Sequence, residues 1–301
     1  DLLPIVAGLP GVALVRTPSP LVQDTTPAID SLPFARTGTQ ITQGVEQSNA
    51  DAWHAAGYRG QGVRIGIIDA GFTGYELRQA EGELPAVIPL WTALGTVNQP
   101  HGTAVAEILH DMAPEAELNF AIAETETQWA SLIEAYSSGG MDVITASLAT
   151  CYSEPGDGYD YDLPALDYAN LSSAIADAHA RNVVYINSAG NTSTRHWDGY
   201  YSDTNENGVH EFNATDEYIT LGQVGPGILI ALGLRWDDWF EPNRQEANDY
   251  DLYIQAFVNG EWQIIERSEI RQRDLLQAAP PLEYFYFYTS LPATEYRVTI
   301  T

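Results

Sequence analysis

Between residues 63 and 187 the chain alternates between two hydrophobic rhythms, and no other feature limits its fold as tightly. Residues 63–68 (VRIGII), 118–122, 142–147 and 183–186 are short apolar runs of strand length, with 86–90 a weaker run of the same kind. Between them, apolar residues recur at helical spacing: Val105, Ile108, Leu109 and Met112; Trp129, Leu132, Ile133 and Tyr136; Leu171, Ala174, Ile175 and Ala178. Short buried strands separated by amphipathic helices predict an α/β fold, with a mostly parallel sheet flanked by helices. Thr125 and Gln128 have the spacing of a capping box for the middle helix. Asn49 is placed to cap a short helix ahead of the first strand.

The rhythm changes after about residue 199. Residues 218–221, 228–234, 250–258, 261–265, 283–289 and 296–300 read as strands, and Asn259-Gly260 reads as a hairpin turn. Three regions are therefore expected: an extended arm over 1–47 with one short strand at 12–16, an α/β region over 48–199, and an all-β sandwich over 200–301.

Charge narrows the partners. The 301 residues carry a formal net charge of -28; all 13 basic residues are Arg, and none is Lys. Nucleic acid and anionic membrane surfaces are disfavoured, because both require clustered cations. An acidic soluble surface accounts for the charge, as does a salt-rich or calcium-rich extracellular setting. Cys151 has no second cysteine to pair with, and no apolar run approaches a membrane span.

Three polar residues stand where an α/β sheet collects its chemistry, beyond the carboxyl ends of strands. Asp69 ends the 63–68 run and is followed by Ala70-Gly71. A phosphoaspartyl enzyme would want a second Asp two residues on, where this chain has Gly71. Taken alone, Asp69 reads equally as a turn or helix cap. His101 enters the helix carrying Val105, where the helix dipole disfavours a charged imidazole and favours a neutral one suited to a general base. Asn191 closes Ser188-Ala189-Gly190-Asn191, a turn directly after a strand.

Taken together and in this order, IDAGF, HGTAVAEI and NSAGN resemble the Asp, His and oxyanion-hole motifs of the subtilisin-like serine proteases, over residues 48–191. The resemblance implies a subtilisin-like fold, secretion, a polypeptide substrate, and no cofactor for catalysis. It implies that Asp69 orients His101, that His101 is the general base, and that Asn191 donates to the oxyanion. Ser147, Leu148 and Ala149 match the segment that pairs with substrate backbone, although the family usually has Gly where Ala149 stands. LPGVALVR, within residues 1–20, looks like the tail of a propeptide.

The family's Gly-Thr-Ser nucleophile motif is absent. After Asn191 the serines are Ser193, Ser202, Ser268 and Ser290; Ser193 and Ser290 each follow a Thr, but only Ser290 has an Ala shortly after it, and its context is an alternating aromatic strand rather than a Gly turn. The resemblance implies an incomplete catalytic domain interrupted by the inserted sandwich, with the serine supplied beyond Thr301, for example by a C-terminal fragment. The alternative is a catalytically silent fold used for binding or scaffolding. A third reading, glycan binding or adhesion through the sandwich, requires a surface aromatic cleft, on which sequence is silent.

One metal site is suggested. Asp203, Asn205 and Asn207, followed by Gly208 and then Glu211, have the spacing of a structural calcium loop, and equally of a solvated turn; the twelfth position is Ala214 rather than a bidentate Glu. Asp237, Asp238, Asp249 and Asp251 form a second acidic group, also explained by edge-strand solubility.

Overall fold

The structure is a computed structural model and describes residues 21–22, 40–86, 88–92, 99–150, 171–191, 195–238, 248–272 and 281–301. The strand expected at 12–16, the LPGVALVR segment, Cys151 and Ser193 lie outside these residues.

Five parallel strands form the central sheet: β2 (Arg64–Asp69), β3 (Leu90–Thr92), β4 (Glu117–Ile122), β5 (Val143–Ala146) and β7 (Val184–Asn187), in the order β3-β4-β2-β5-β7. Strand β3 falls later than the 86–90 run suggested. Alternation along β2 splits its side chains between two cores. Ile65 and Ile67 join Leu118, Phe120 and Ile122 of β4 beneath α4 (His101–Met112). Ile68 joins Ala121, Ile144 and Ala146 beneath α5 (Glu126–Ser138) and α6 (Leu171–Ala180). Ile67 and Ile68 are fully buried, and each such side chain contributes about 1.5–3 kcal/mol. Covered on both faces at β2 and β4, the sheet needs near-continuous apolar strands there, and the sequence has them; at the edge strand β7, Val184 and Ile186 are exposed.

Helix caps match the sequence in outline. Thr125 accepts a hydrogen bond from the Gln128 amide at 3.3 Å, while Gln128 Oε1 reaches past the cap to the Glu124 amide at 2.7 Å. Short helices α1 (Gln43–Gln47) and α3 (Tyr75–Glu81) flank α2 (Ala50–Ala55) in sequence, and Asn49 precedes α2 in the left-handed region, with no side-chain capping bond. The buried face of α4 differs from the apolar stripe. Gly102, Thr103 and Ala106 are buried, Val105 and Leu109 are partly buried, and Ile108 is 51% exposed. Small residues lie where the helix comes closest to the sheet.

The all-β part is two antiparallel sheets that share one core. One contains β11 (Glu261–Ser268), β10 (Leu252–Val258), β13 (Thr294–Ile300) and β8 (Ile219–Val224), in that order; the other pairs β12 (Leu282–Tyr288) with β9 (Leu229–Arg235). Ile254, Ala256, Tyr296 and Val298 from the first meet Ile230 and Phe285 from the second. Asn259 and Gly260 both have positive φ (55° and 87°), as a two-residue hairpin turn of this hand requires.

One buried carboxyl makes this core pH-sensitive. Glu283 is fully buried, and its Oε1 accepts from the Ile270 amide (2.8 Å) and Gln272 Nε2 (2.7 Å). Burial pushes the carboxyl up to about 7. Hydrogen bonds from Ser268, Gln272 and Ile270 oppose the rise, and the Asp251 charge adds to it. The folded value exceeds the unfolded value, so the proton is held more tightly in the fold. Its stabilisation is full below the unfolded carboxyl range and is lost as pH rises through about 7. Glu283→Gln, neutral throughout, is expected to raise the thermal midpoint relative to wild type at about pH 8 more than at about pH 4. Parallel midpoint curves for the two proteins across that range would show that Glu283 does not couple to folding.

Candidate functional site

Asp69 ends β2 at the carboxyl edge of the sheet, and His101 opens α4 directly above it. The imidazole Nδ1 lies 2.8 Å from Asp69 Oδ2 and 3.0 Å from Oδ1. Asp69 is fully buried, and its Oδ1 also accepts the Ala70 amide at 2.8 Å. A buried carboxylate is costly unless its lone pairs are used, and these contacts use them. The His101 side chain is 29% exposed. The pair therefore runs from a dry carboxylate to a ring that reaches the surface.

The backbone around the pair explains its geometry. The Gly102 amide donates to Gly71 O (2.9 Å), the Thr103 hydroxyl to Thr73 O (3.1 Å), and the Thr73 amide to Gln99 O (2.9 Å). These bonds tie the first turn of α4 to the loop after β2. A Cβ at Gly102 would stand 2.6 Å from Gly71 O, 2.7 Å from the Phe72 ring and 2.8 Å from Asp69 Cβ. Glycine is therefore the residue that lets His101 come down onto Asp69. Pro100 occupies the N-cap and makes no side-chain cap; His101 is the first helical residue rather than a residue ahead of the helix.

The other sequence candidates share the sheet's carboxyl edge. Strand β5 neighbours β2, and β7 neighbours β5, which puts the β7 end about 10 Å from β2. Asn191 lies four residues past β7, exposed, directly after Gly190 at φ 82°. Ser147 and Leu148 follow β5, with Leu148 buried and its carbonyl accepting from Asn187 Nδ2 at 3.3 Å.

Ala149 begins the two-residue strand β6 (Ala149–Thr150), which pairs antiparallel with β1 (Leu21–Val22) from the N-terminal arm: Val22 faces Ala149 and Leu21 faces Thr150. Sequence reasoning missed this pairing. Two residues carry no periodicity, so no signal in the sequence could have found it. Of the later serines, Ser202 is bonded to Glu211, Ser268 lies in β11 and accepts the Tyr284 amide, and Ser290 is exposed after β12. All three belong to the all-β part.

The 203–211 loop folds around its own polar atoms. Asp203 accepts the amides of Asn207 (3.0 Å) and Gly208 (2.9 Å), with Gly208 at φ 81°. Glu211 accepts the Thr204 hydroxyl at 2.8 Å, which holds its carboxyl below the usual range. The side-chain amides of Asn205 and Asn207 both donate to Glu217 Oε1, at 2.8 and 2.7 Å. Glu217, which the sequence did not single out, is thus the carboxylate on which the two Asn converge. Among the described residues no three His, Cys, Asp or Glu side chains group so as to hold a metal ion. No helix among them is long and apolar enough to cross a membrane.

No protein-family model matches the sequence, and no characterised protein sequence does. Three solved structures to which the chain is similar are serine proteases. MycP1, a component of the type VII (ESX-1) secretion system, is 20% identical with a TM-score of 0.38, over 63% of this chain and 58% of its own. The epidermin leader peptide processing protease EpiP of Staphylococcus aureus is 18% identical with a TM-score of 0.32, over 43% of this chain and 37% of its own. The nisin leader peptidase NisP of Lactococcus lactis is 21% identical with a TM-score of 0.31, over 44% of this chain and 45% of its own. The chain thus spans less than two thirds of each of them.

The contact at Gly102 gives a direct test. Gly102→Ala is expected to lower unfolding stability by about 1–3 kcal/mol, because a backbone carbonyl must shift to admit the methyl group. Urea denaturation measures it; an unchanged midpoint would mean that the helix entrance has slack.

Proposed function

We propose that this chain carries the Asp-His half of a secreted, subtilisin-like serine endopeptidase, with the nucleophilic serine supplied from outside these 301 residues. The observation that supports this most is the Asp69–His101 pair: a buried carboxylate 2.8 Å from Nδ1 of a partly exposed imidazole.

In this reading Asp69 fixes the His101 tautomer with the proton on Nδ1, leaving Nε2 to act as the base. Nε2 removes the serine hydroxyl proton as the serine oxygen attacks the scissile carbonyl carbon. The carbonyl oxygen becomes the oxyanion, to which the Asn191 side-chain amide donates. The imidazolium, stabilised by Asp69, returns the proton to the leaving amine as the C–N bond breaks. Water, deprotonated by the same nitrogen, then releases the acyl group. Substrate lies as an extended strand along the 147–149 segment. The β1–β6 pairing supports that placement, because an antiparallel strand is already added there. The arm would thus lie along its own substrate edge, as a propeptide tail does.

A second reading, a silent fold used for binding, draws on one observation: every described serine after Asn191 belongs to the all-β part. The complete reading frame separates the two. It is expected to be labelled by a serine-directed phosphonate, and His101→Ala to abolish the label. Asn191→Ala is expected to lower kcat by about 10²–10³ with little change in KM. Labelling that survives His101→Ala would overturn the assignment of the base, and an unlabelled parent protein would favour the silent reading.

A further inference from the structure

The outer face of the β11-β10-β13-β8 sheet carries a cleft of about 640 Å³, independent of the Asp69–His101 pair. Its floor is made by side chains of strands far apart in sequence, among them Gln255 and Tyr253 of β10 and Arg297 of β13, with Tyr218 beside them. Arg297 is held rigidly. Its guanidinium carbon lies 4.2 Å from the Trp262 ring centroid and 4.8 Å from that of Tyr218, and its Nε donates to Gln255 Oε1 at 2.6 Å. A guanidinium flanked by two rings and anchored through Nε has its terminal nitrogens left for a planar pair of oxygens.

The cleft's carboxylates are already engaged. Glu217 Oε1 accepts the Asn205 and Asn207 amides, and Glu269 Oε1 accepts the Tyr253 hydroxyl at 2.8 Å and lies 3.5 Å from Arg267. Among the described residues, Arg297 is the cation of this cleft with no carboxylate within ion-pair distance, whereas Arg267 is paired with Glu269. The overall charge of -28 repels a polyanion, so the fitting ligand carries a single carboxylate.

Backbone pairing decides between a peptide and a sugar. Strands β10 and β13 are hydrogen-bonded on both sides, so the cleft floor has no bare edge to which a peptide could add. What it presents is an amide, phenols and a guanidinium, with Tyr218 40% exposed as a residue. Such groups suit hydroxyls and the apolar face of a pyranose. We propose that this cleft binds an oligosaccharide bearing one carboxylate, with Arg297 forking onto the carboxylate and Tyr218 stacking on a sugar ring.

Calorimetric titration of the whole chain tests this, with sialyllactose and a glucuronic-acid-bearing xylo-oligosaccharide as acidic probes and lactose and xylotriose as neutral counterparts. Saturable binding of an acidic probe is expected, with its neutral counterpart at least about tenfold weaker. Arg297→Lys keeps the charge but loses the fork, and is expected to weaken binding about tenfold. Tyr218→Ala, at an exposed position, is expected to weaken acidic and neutral sugars alike. Circular dichroism checks that each variant is folded. Failure of both acidic probes to saturate, equal affinity for a neutral counterpart, an Arg297→Lys variant that binds like wild type, or displacement of the sugar by a short acidic peptide would each overturn the proposal.

Discussion

A methyl group at position 102 would collide with a carbonyl oxygen, a ring and the β-carbon of Asp69 at once. The seat of α4 on the end of β2 depends on that missing atom. With glycine there, the helix's first turn bonds to the Gly71 and Thr73 carbonyls, and His101 is brought within hydrogen-bond distance of a carboxylate 32 residues upstream. The same close approach selects the small residues Thr103 and Ala106 for the buried face and turns Ile108 out to solvent. Local packing and site geometry are thus set by one contact.

Burial of Asp69 then acquires a purpose. Removing a carboxylate from water is unfavourable unless hydrogen bonds replace the lost hydration. The Ala70 amide supplies one fixed bond, and the imidazole supplies the other. The second bond comes from an element 32 residues away in sequence, so the same contact that satisfies the carboxylate also fixes where α4 begins. The His101 side chain itself is 29% exposed, so the contact joins the buried floor of the site to its surface.

Strands β2 and β4 were legible in the sequence because both of their faces are buried and nearly every residue carries the signal; β5 and β7 were legible as short apolar runs, although Val184 and Ile186 of β7 are more than half exposed. Strand β3 was misplaced because three residues at the sheet's edge carry little. The face of α4 was misread because hydrophobic periodicity weights Ile108 and Met112, while the closest contact uses glycine, threonine and alanine. Asp69 and His101 were legible as a pair only through their motifs; nothing in their spacing brings them together. The β1–β6 pairing and the Arg297 cleft were not legible. The first is two residues long, and the second gathers Tyr218, just ahead of β8, with Gln255 of β10 and Arg297 of β13, strands whose alternation reads only as an exposed face.

That exposed face and the sheet edge beside β5 use opposite recognition logic. Next to β5, a strand from the arm satisfies backbone groups by adding to β6. On the β10–β13 face both strands are paired on either side, so side chains rather than a bare strand edge meet a ligand. Extended peptides suit the first surface because each residue brings one donor and one acceptor at strand spacing. Ring-shaped, hydroxyl-rich ligands suit the second, where an anchored guanidinium and exposed phenol offer geometry instead of periodicity.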